Sequence, residues 1–240
     1  MAAAGVWAVS RARCFSLVGP AVCRVETQQP LVALTFDDGP TRLGVESVLP
    51  ELDRRGAHAT FFVIGRELRQ EPELAGRLLR SGHELGNHSF SHVRMVGRRE
   101  AFYAAEIEDT QRELRQVGAR ATAFRPPFGK KLLGLPLALR RSELTMIMWD
   151  VEDPQTSDPA RFAAEVVQAA RPGSIILLHA MYPANRTARE ALPAILDGLR
   201  AKGYRVVSVQ ELLSAGESQA AALLKRAPWT AQASPWGSAR

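Results

Sequence analysis

LVALTFDDGP, residues 31–40, joins an apolar run fit for a strand covered on both faces to an abrupt acidic turn. Five more runs share the character of its first six residues: AHATFFVI (57–64), TAFRP (122–126), LTMIMWDV (144–151), SIILLH (174–179) and YRVVSV (204–209). Helix-length amphipathic stretches lie between them, around residues 44–55, 72–81, 99–117, 159–171 and 187–202. Gly56, Gly82, Gly118, Gly173 and Gly203 stand just past the helix ends, and Asp158 ahead of Pro159 suits a helix start. Strands that alternate with helices imply crossover connections, hence an α/β fold with a mainly parallel sheet.

The 240 residues, 46% apolar and 23% charged, suffice for one well-buried core and fall short of two full domains. The net charge of +6 is spread along the chain, with doublets at Arg54-Arg55, Arg98-Arg99 and Lys130-Lys131. That surface suits an anionic polymer or lipid headgroups and carries no nucleic-acid motif, and most of these side chains are expected to be solvated. The two cysteines, Cys14 and Cys23, bracket CFSLVGPAVC, where Gly19-Pro20 is expected to turn one short strand back on another. They form either a disulfide across that hairpin or two separate thiols, and they lack the neighbouring ligands of a structural zinc site. The opening MAAAGVWAVS is apolar, is followed by Arg11 and Arg13, and is too short to span a bilayer. It reads either as a frayed terminus or as the end of a membrane helix whose earlier part is missing.

In parallel β/α folds, functional groups collect where strands end. The first run ends in the adjacent carboxylates Asp37 and Asp38, which repel unless something positive binds beside them. In GHELGNHSFSH, His88 and His92 stand four apart, the spacing that puts two rings on one side of a helical turn. Two imidazoles and a carboxylate make a three-ligand set with open positions for water and substrate, the donor set of a hydrolytic metal site. His83 reads as a structural histidine near a strand start. FRPPFG, residues 124–129, has a backbone stiffened by two prolines and able to offer an amide N–H to a developing oxyanion, with Arg125 placed to keep Asp37 ionised. His179 closes SIILLH, where a general acid would sit.

Together and in this order, TFDDGP, HSFSH, FRPPFG and LLH resemble the polysaccharide deacetylases of carbohydrate esterase family 4, the nodulation-type chitooligosaccharide deacetylase homology domain, over roughly residues 30–213. The resemblance implies a distorted (β/α)7 barrel, whose strand number and closure come from the family alone. It implies one divalent ion held by Asp38, His88 and His92, zinc in the first place, with cobalt, manganese or nickel suited to the same donors. Asp37 would be the base, Arg125 its support and His179 the acid. The Phe128 N–H would hold the oxyanion, and Leu177, with Trp149 nearby, would wall the pocket for the acetyl methyl. The implied reaction is hydrolysis of acetyl groups, N-acetyl first, from an acetylated polysaccharide or oligosaccharide in the periplasm, the cell envelope or outside the cell. Residues 1–29 would then be an N-terminal hairpin segment with a membrane association, 30–213 the catalytic domain and 214–240 a mobile tail.

The chain departs from the family pattern after Trp149. An ungapped match puts Gln155 and Thr156 where an Asp-Trp pair is expected, so support of His179 falls to Asp150, Glu152 or Asp153, with Glu152 the first expectation. Phe128 replaces a common tyrosine, and Ala180 replaces an acid. Two other outcomes fit such changes: a metal-retaining glycan-binding protein without catalysis, or a related metal hydrolase for another amide or ester, its pocket shaped by Trp149, Lys130 and Lys131.

Overall fold

Eight strands appear in the computed structural model, which describes residue 10 and residues 12–226. They are β1 (Ala21–Val22), β2 (Leu31–Asp37), β3 (Thr60–Val63), β4 (Glu84–Asn87), β5 (Ala123–Phe124), β6 (Thr145–Ile147), β7 (Ile175–His179) and β8 (Arg205–Val207). Every pairing between them is parallel, in the order β1-β6-β5-β4-β3-β2-β7 with β8 also on β2. β8 and β3 follow one another along one edge of β2, at Leu31 to Ala33 and then at Thr35 to Asp37. Past β6 the chain meets β7 through a single parallel bridge, Val151 to Ile176. Counted from β2 to β8, this is the distorted (β/α)7 barrel, and the bridge is where it closes.

The strand parity decides what faces the barrel interior. Val32, Leu34 and Phe36 pack outward with Ile176 and Leu178 against the helices, whereas Leu31 and Ala33 pack inward with Ile175 and Leu177. Both faces of β2 are thus buried, which explains an apolar run without alternation. Period-two geometry then puts Thr35, Asp37 and His179 on the inward face.

The outer layer holds α1 (Arg42–Arg55), α2 (Gly65–Gln70), α3 (Pro72–Arg80), α4 (Glu100–Gln116), α5 (Gly134–Arg141), α6 (Pro159–Ala169), α7 (Arg186–Ala201) and α8 (Val209–Arg226). The Thr41 hydroxyl caps α1 by accepting from the Gly44 N–H, and Asp158 caps α6 through the Ala160 N–H at 2.9 Å. α2 and α5 were not legible in the sequence. α5 opens on Gly134 and carries Pro136, poor helix residues that are tolerated because they sit in the first turn.

The expectation for the N-terminal segment needs correction. Among the described residues, 12–20 contain no strand, and β1 pairs parallel to β6, so the N-terminal segment is not a hairpin, although a disulfide does join Cys14 to Cys23. The expected tail is helical as far as Arg226. Its remainder, 227–240, and the expected membrane-helix end at residues 1–9 lie outside the described residues. Among the described residues no helix is long and apolar enough to cross a membrane.

Candidate active site

Parallel register lines up the strand ends. Asp37 stands opposite Phe62 of β3 and His179 of β7, Val63 opposite Asn87, and Asn87 opposite Phe124. Asp38, His88 and Arg125 each follow one of these strand ends, and so share one rim of the barrel.

Arg125 is fully buried and each of its three side-chain nitrogens donates a hydrogen bond. Nη1 donates to Asp37 Oδ1 at 2.6 Å and to Thr35 Oγ1 at 2.7 Å, Nη2 to the Met148 carbonyl at 3.0 Å, and Nε to the Ile147 carbonyl at 3.3 Å. The guanidinium also lies 4.1 Å from the Phe62 ring centroid. Thr35 gives its own proton to the Ile176 carbonyl at 2.7 Å, which leaves a lone pair toward Arg125. A planar fork suits this set and a lysine would not. Burial alone would push the Asp37 pKa up, but the Arg125 guanidinium, joined by the charge of His179, outweighs it and holds the carboxyl below its usual range. The repulsion expected between the two adjacent acids is thus relieved at Asp37 by Arg125.

Asp38 faces the histidines instead. Its Oδ1 is 3.3 Å from His92 Nε2 and 3.8 Å from His88 Nε2, and none of the described residues donates a hydrogen bond to this buried oxygen. One candidate ligand atom each from Asp38, His88 and His92 lies within 4.8 Å of the others. His88 Nδ1 is 2.8 Å from the Arg125 carbonyl, which can only accept, so Nδ1 carries the proton and Nε2 keeps its lone pair. Burial raises the Asp38 pKa, with Asp37 adding to it, and burial before all lowers that of His92 to about 4. A neutral imidazole beside an orphaned carboxylate oxygen fits a divalent cation.

The two histidines do not share a helical turn. β4 ends at Asn87, and Ser89 and His92 both take positive φ, 65° and 53°, in an irregular loop. Asn87 Oδ1 accepts from the Ser89 N–H at 2.9 Å, and Ser89 Oγ accepts from the His92 N–H at 3.1 Å. From α4, Glu106 accepts from the N–H groups of Phe90 and Ser91 at 3.0 and 2.9 Å. Glu106 had no signal of its own in the sequence, being one acid among several on an amphipathic helix. Thr35 was not among the expected site residues either, although a polar residue inside an apolar strand is a signal that could have marked it.

The partner of His179 is Asp153 rather than Glu152. Asp153 Oδ2 lies 2.5 Å from His179 Nδ1, and the same carboxylate accepts from the His179 N–H at 3.2 Å. Burial opposes protonation of His179, but the hydrogen bond to Asp153 and the charges of Asp37, Asp153 and Asp38 lift its pKa to about 9. Glu152 turns away and accepts from the Trp149 indole N–H at 2.8 Å. Asp150 accepts from the Ile175 N–H and the Ser174 hydroxyl, both at 2.9 Å, beside the bridge that closes the barrel.

These groups open into a cavity of about 430 Å³ whose lining includes Asp37, His88, His92 and His179. Phe128, Trp149 and Leu177 contribute walls, and Gln155 also reaches it. Phe128 takes φ of 58°, and its ring stands 4.8 Å from that of His92. A Cβ on Gly129 would come within 2.9 Å of the Trp149 ring, so glycine lets the FRPPFG turn and Trp149 close on each other. Lys131 is not a wall of this cavity; it is buried, with its ammonium on the Ala12 carbonyl.

A family model described as polysaccharide deacetylase matches residues 24–147. The peptidoglycan-N-acetylmuramic acid deacetylase PdaC of Bacillus subtilis (strain 168) is 35% identical over 192 residues, 78% of this chain and 40% of PdaC. The chain therefore spans about two fifths of that relative's length. The solved structure of PdaC superposes with a TM-score of 0.75 at 32% identity, covering 84% of this chain and 98% of the solved one. A peptidoglycan-N-acetylglucosamine deacetylase of Bacillus cereus is 31% identical over 193 residues, 79% of this chain and 91% of the relative. A family 4 carbohydrate esterase from Streptomyces lividans, solved in complex with acetate, gives a TM-score of 0.68 at 32% identity over 74% of this chain and 92% of its own.

Proposed function

Because this chain belongs to the polysaccharide deacetylase family, carbohydrate esterase family 4, we propose that it is a metal-dependent hydrolase that removes N-acetyl groups from a cell-wall glycan. The observation that carries this reading is one cleft in which the Asp38, His88 and His92 cluster lies beside two oppositely biased groups. These are Asp37, held ionised by Arg125, and His179, held protonated by Asp153. Pairs of titratable groups driven apart in this way mark a base and an acid.

Asp38, His88 and His92 would hold the ion, with zinc the proposed species. When bound, a divalent ion acidifies water and polarises an acyl oxygen. Asp37 accepts a proton from the attacking water, its other oxygen fixed by Arg125. The Phe128 N–H is the donor assigned to the oxyanion, and Leu177 with Trp149 bounds the space for the acetyl methyl. His179, an imidazolium at neutral pH, gives its proton from Nε2 to the leaving amine, while Asp153 fixes Nδ1. Residues 30–213 are the proposed catalytic domain.

The named activities of the relatives support peptidoglycan as the first substrate to try and a site of action outside the cytoplasm, where the disulfide also belongs. The test is acetate release from peptidoglycan and from acetylated chitooligosaccharides by the purified chain as prepared, after chelation, and after zinc is restored. Release that chelation removes and zinc restores is expected. Metal-loaded protein that frees no acetate from any of these glycans would overturn the deacetylase reading in favour of a glycan-binding role.

A further inference from the structure

Ahead of residue 24, where the family match begins, an arm of the chain reaches the rim of the cleft. Two anchors hold it. The disulfide fixes Cys14 to Cys23 beside β1, with their Cα atoms 5.4 Å apart. Lys131, 1% exposed, donates its ammonium to the Ala12 carbonyl and its backbone N–H to the Ser10 carbonyl. Burying an ammonium against a neutral carbonyl is costly. Burial, followed by the charge of Lys130, pulls the Lys131 pKa down to about 8.

Between the anchors, Arg13 places Nη2 3.1 Å from Glu152 Oε1 and its guanidinium 5.8 Å from the Trp149 ring centroid. The other oxygen of Glu152 holds the Trp149 indole N–H, and both Glu152 and Trp149 line the cleft. The ion pair is half exposed and adds little stability, so its effect falls on orientation. We infer that Arg13 is a positioning residue for substrate: through Glu152 it fixes the Trp149 wall against which a sugar ring packs, and Cys14–Cys23 with Lys131 keeps it there. The identity of the packed group rests on the deacetylase reading, whereas the fixing of the wall does not.

Trp149 can be followed alone in the full chain, zinc-loaded, with Trp7, Trp229 and Trp236 replaced by Phe. Arg13→Ala, and separately Cys14→Ser with Cys23→Ser, are expected to red-shift its emission and raise its quenching by acrylamide. On whichever of peptidoglycan or N-acetylchitohexaose the parent deacetylates, each should raise KM about three- to tenfold and leave kcat within about twofold. Arg13→Lys should recover most of both effects. If the serine variant does not fold, reduction of the folded parent with dithiothreitol takes its place and should reproduce the shift. Unchanged Trp149 quenching in the arginine and disulfide variants would overturn the inference, as would a fall in kcat at constant KM. A parent that frees no acetate would sink the deacetylase reading alone, and the quenching result would still decide whether the arm holds the wall.

Discussion

The two sides of the cleft are built differently. On the β2, β4 and β5 side, Asp37, His88 and Arg125 are buried, and the groups they touch are strand residues or backbone carbonyls whose places are set by the sheet. On the other side, Trp149, Glu152 and Asp153 lie on a segment that leaves β6 and is met by an arm stapled on from the N-terminus; His179 ends β7 but leans on Asp153, and the carboxylates of Glu152 and Asp153 are partly exposed. A site that must hold an ion and an ionised base requires the first kind of construction, since a buried charge left unpaired is costly. A site that receives a polymer and releases an amine tolerates the second. Substitutions on the buried side should therefore abolish function, and those on the open side should tune it.

The largest effects test the buried side. His88→Ala should lose both metal, read by elemental analysis, and at least about a thousandfold in acetate release. Asp37→Asn should lose activity to a similar degree while keeping stoichiometric metal, because the ligand cluster is Asp38, His88 and His92, and Asp37 Oδ1 is taken by Arg125. Metal lost together with activity in Asp37→Asn would merge the two acids into one role and break the division between base and ligand.

Next comes Asp153→Asn, with an expected loss of about ten- to a hundredfold. His179 has its pKa raised to about 9, against 6.5 for the free side chain, so the acid form persists through neutral pH and activity should fall as pH rises through about 9. Removing the carboxylate removes the hydrogen bond and one of the charges that raise it, so the alkaline limb of kcat should move down toward 6.5. The linked stability has the same sign: the His179 and Asp153 interaction is complete below pH 6.5, fades as pH climbs through about 9, and is absent in the variant. A rate profile that does not move would show that His179 is not the titrating acid.

The contrast between the two sides is also a contrast in what could be read from residue types. Strands covered on both faces and the order of the polar strand ends were visible, because the apolar runs carry their own burial and the site residues follow at their ends. The loop of His88 and His92 was misread as a helical turn because a spacing of four has that meaning only when the backbone is helical. Here Glu106 and Asn87 bend it through positive φ at Ser89 and His92. Asp153 was not separable from its neighbours, since the choice among three nearby acids depends on how the chain leaves the sheet after Val151 bridges Ile176. Lys131 read as surface because nothing in a basic doublet says that one member is buried under an arm of the chain whose acceptor stands 119 residues away in sequence.

The smallest effect on turnover should come from Asp150, three residues from Asp153, and it isolates fold from chemistry within one segment. Asp150 accepts from the Ile175 N–H and the Ser174 hydroxyl and lies 3.6 Å from Arg171. It thus satisfies a strand end where the barrel closes through only one bridge. Asp150→Ala leaves those donors without their acceptor, a cost of about 1–3 kcal/mol, which for a chain of this size lowers Tm by about 2–4 °C for each kcal/mol. kcat and its alkaline limb should stay within experimental reach of the parent, because the Asp150 carboxylate is engaged by Ile175, Ser174 and Arg171, whereas His179 pairs with Asp153. Thermal melts and a pH–rate profile on the same preparation separate the cases. A normal Tm with a shifted limb would move the support of His179 from Asp153 to Asp150. A lowered Tm with an unmoved limb would leave Asp153 as its support and Asp150 as the closure of the barrel.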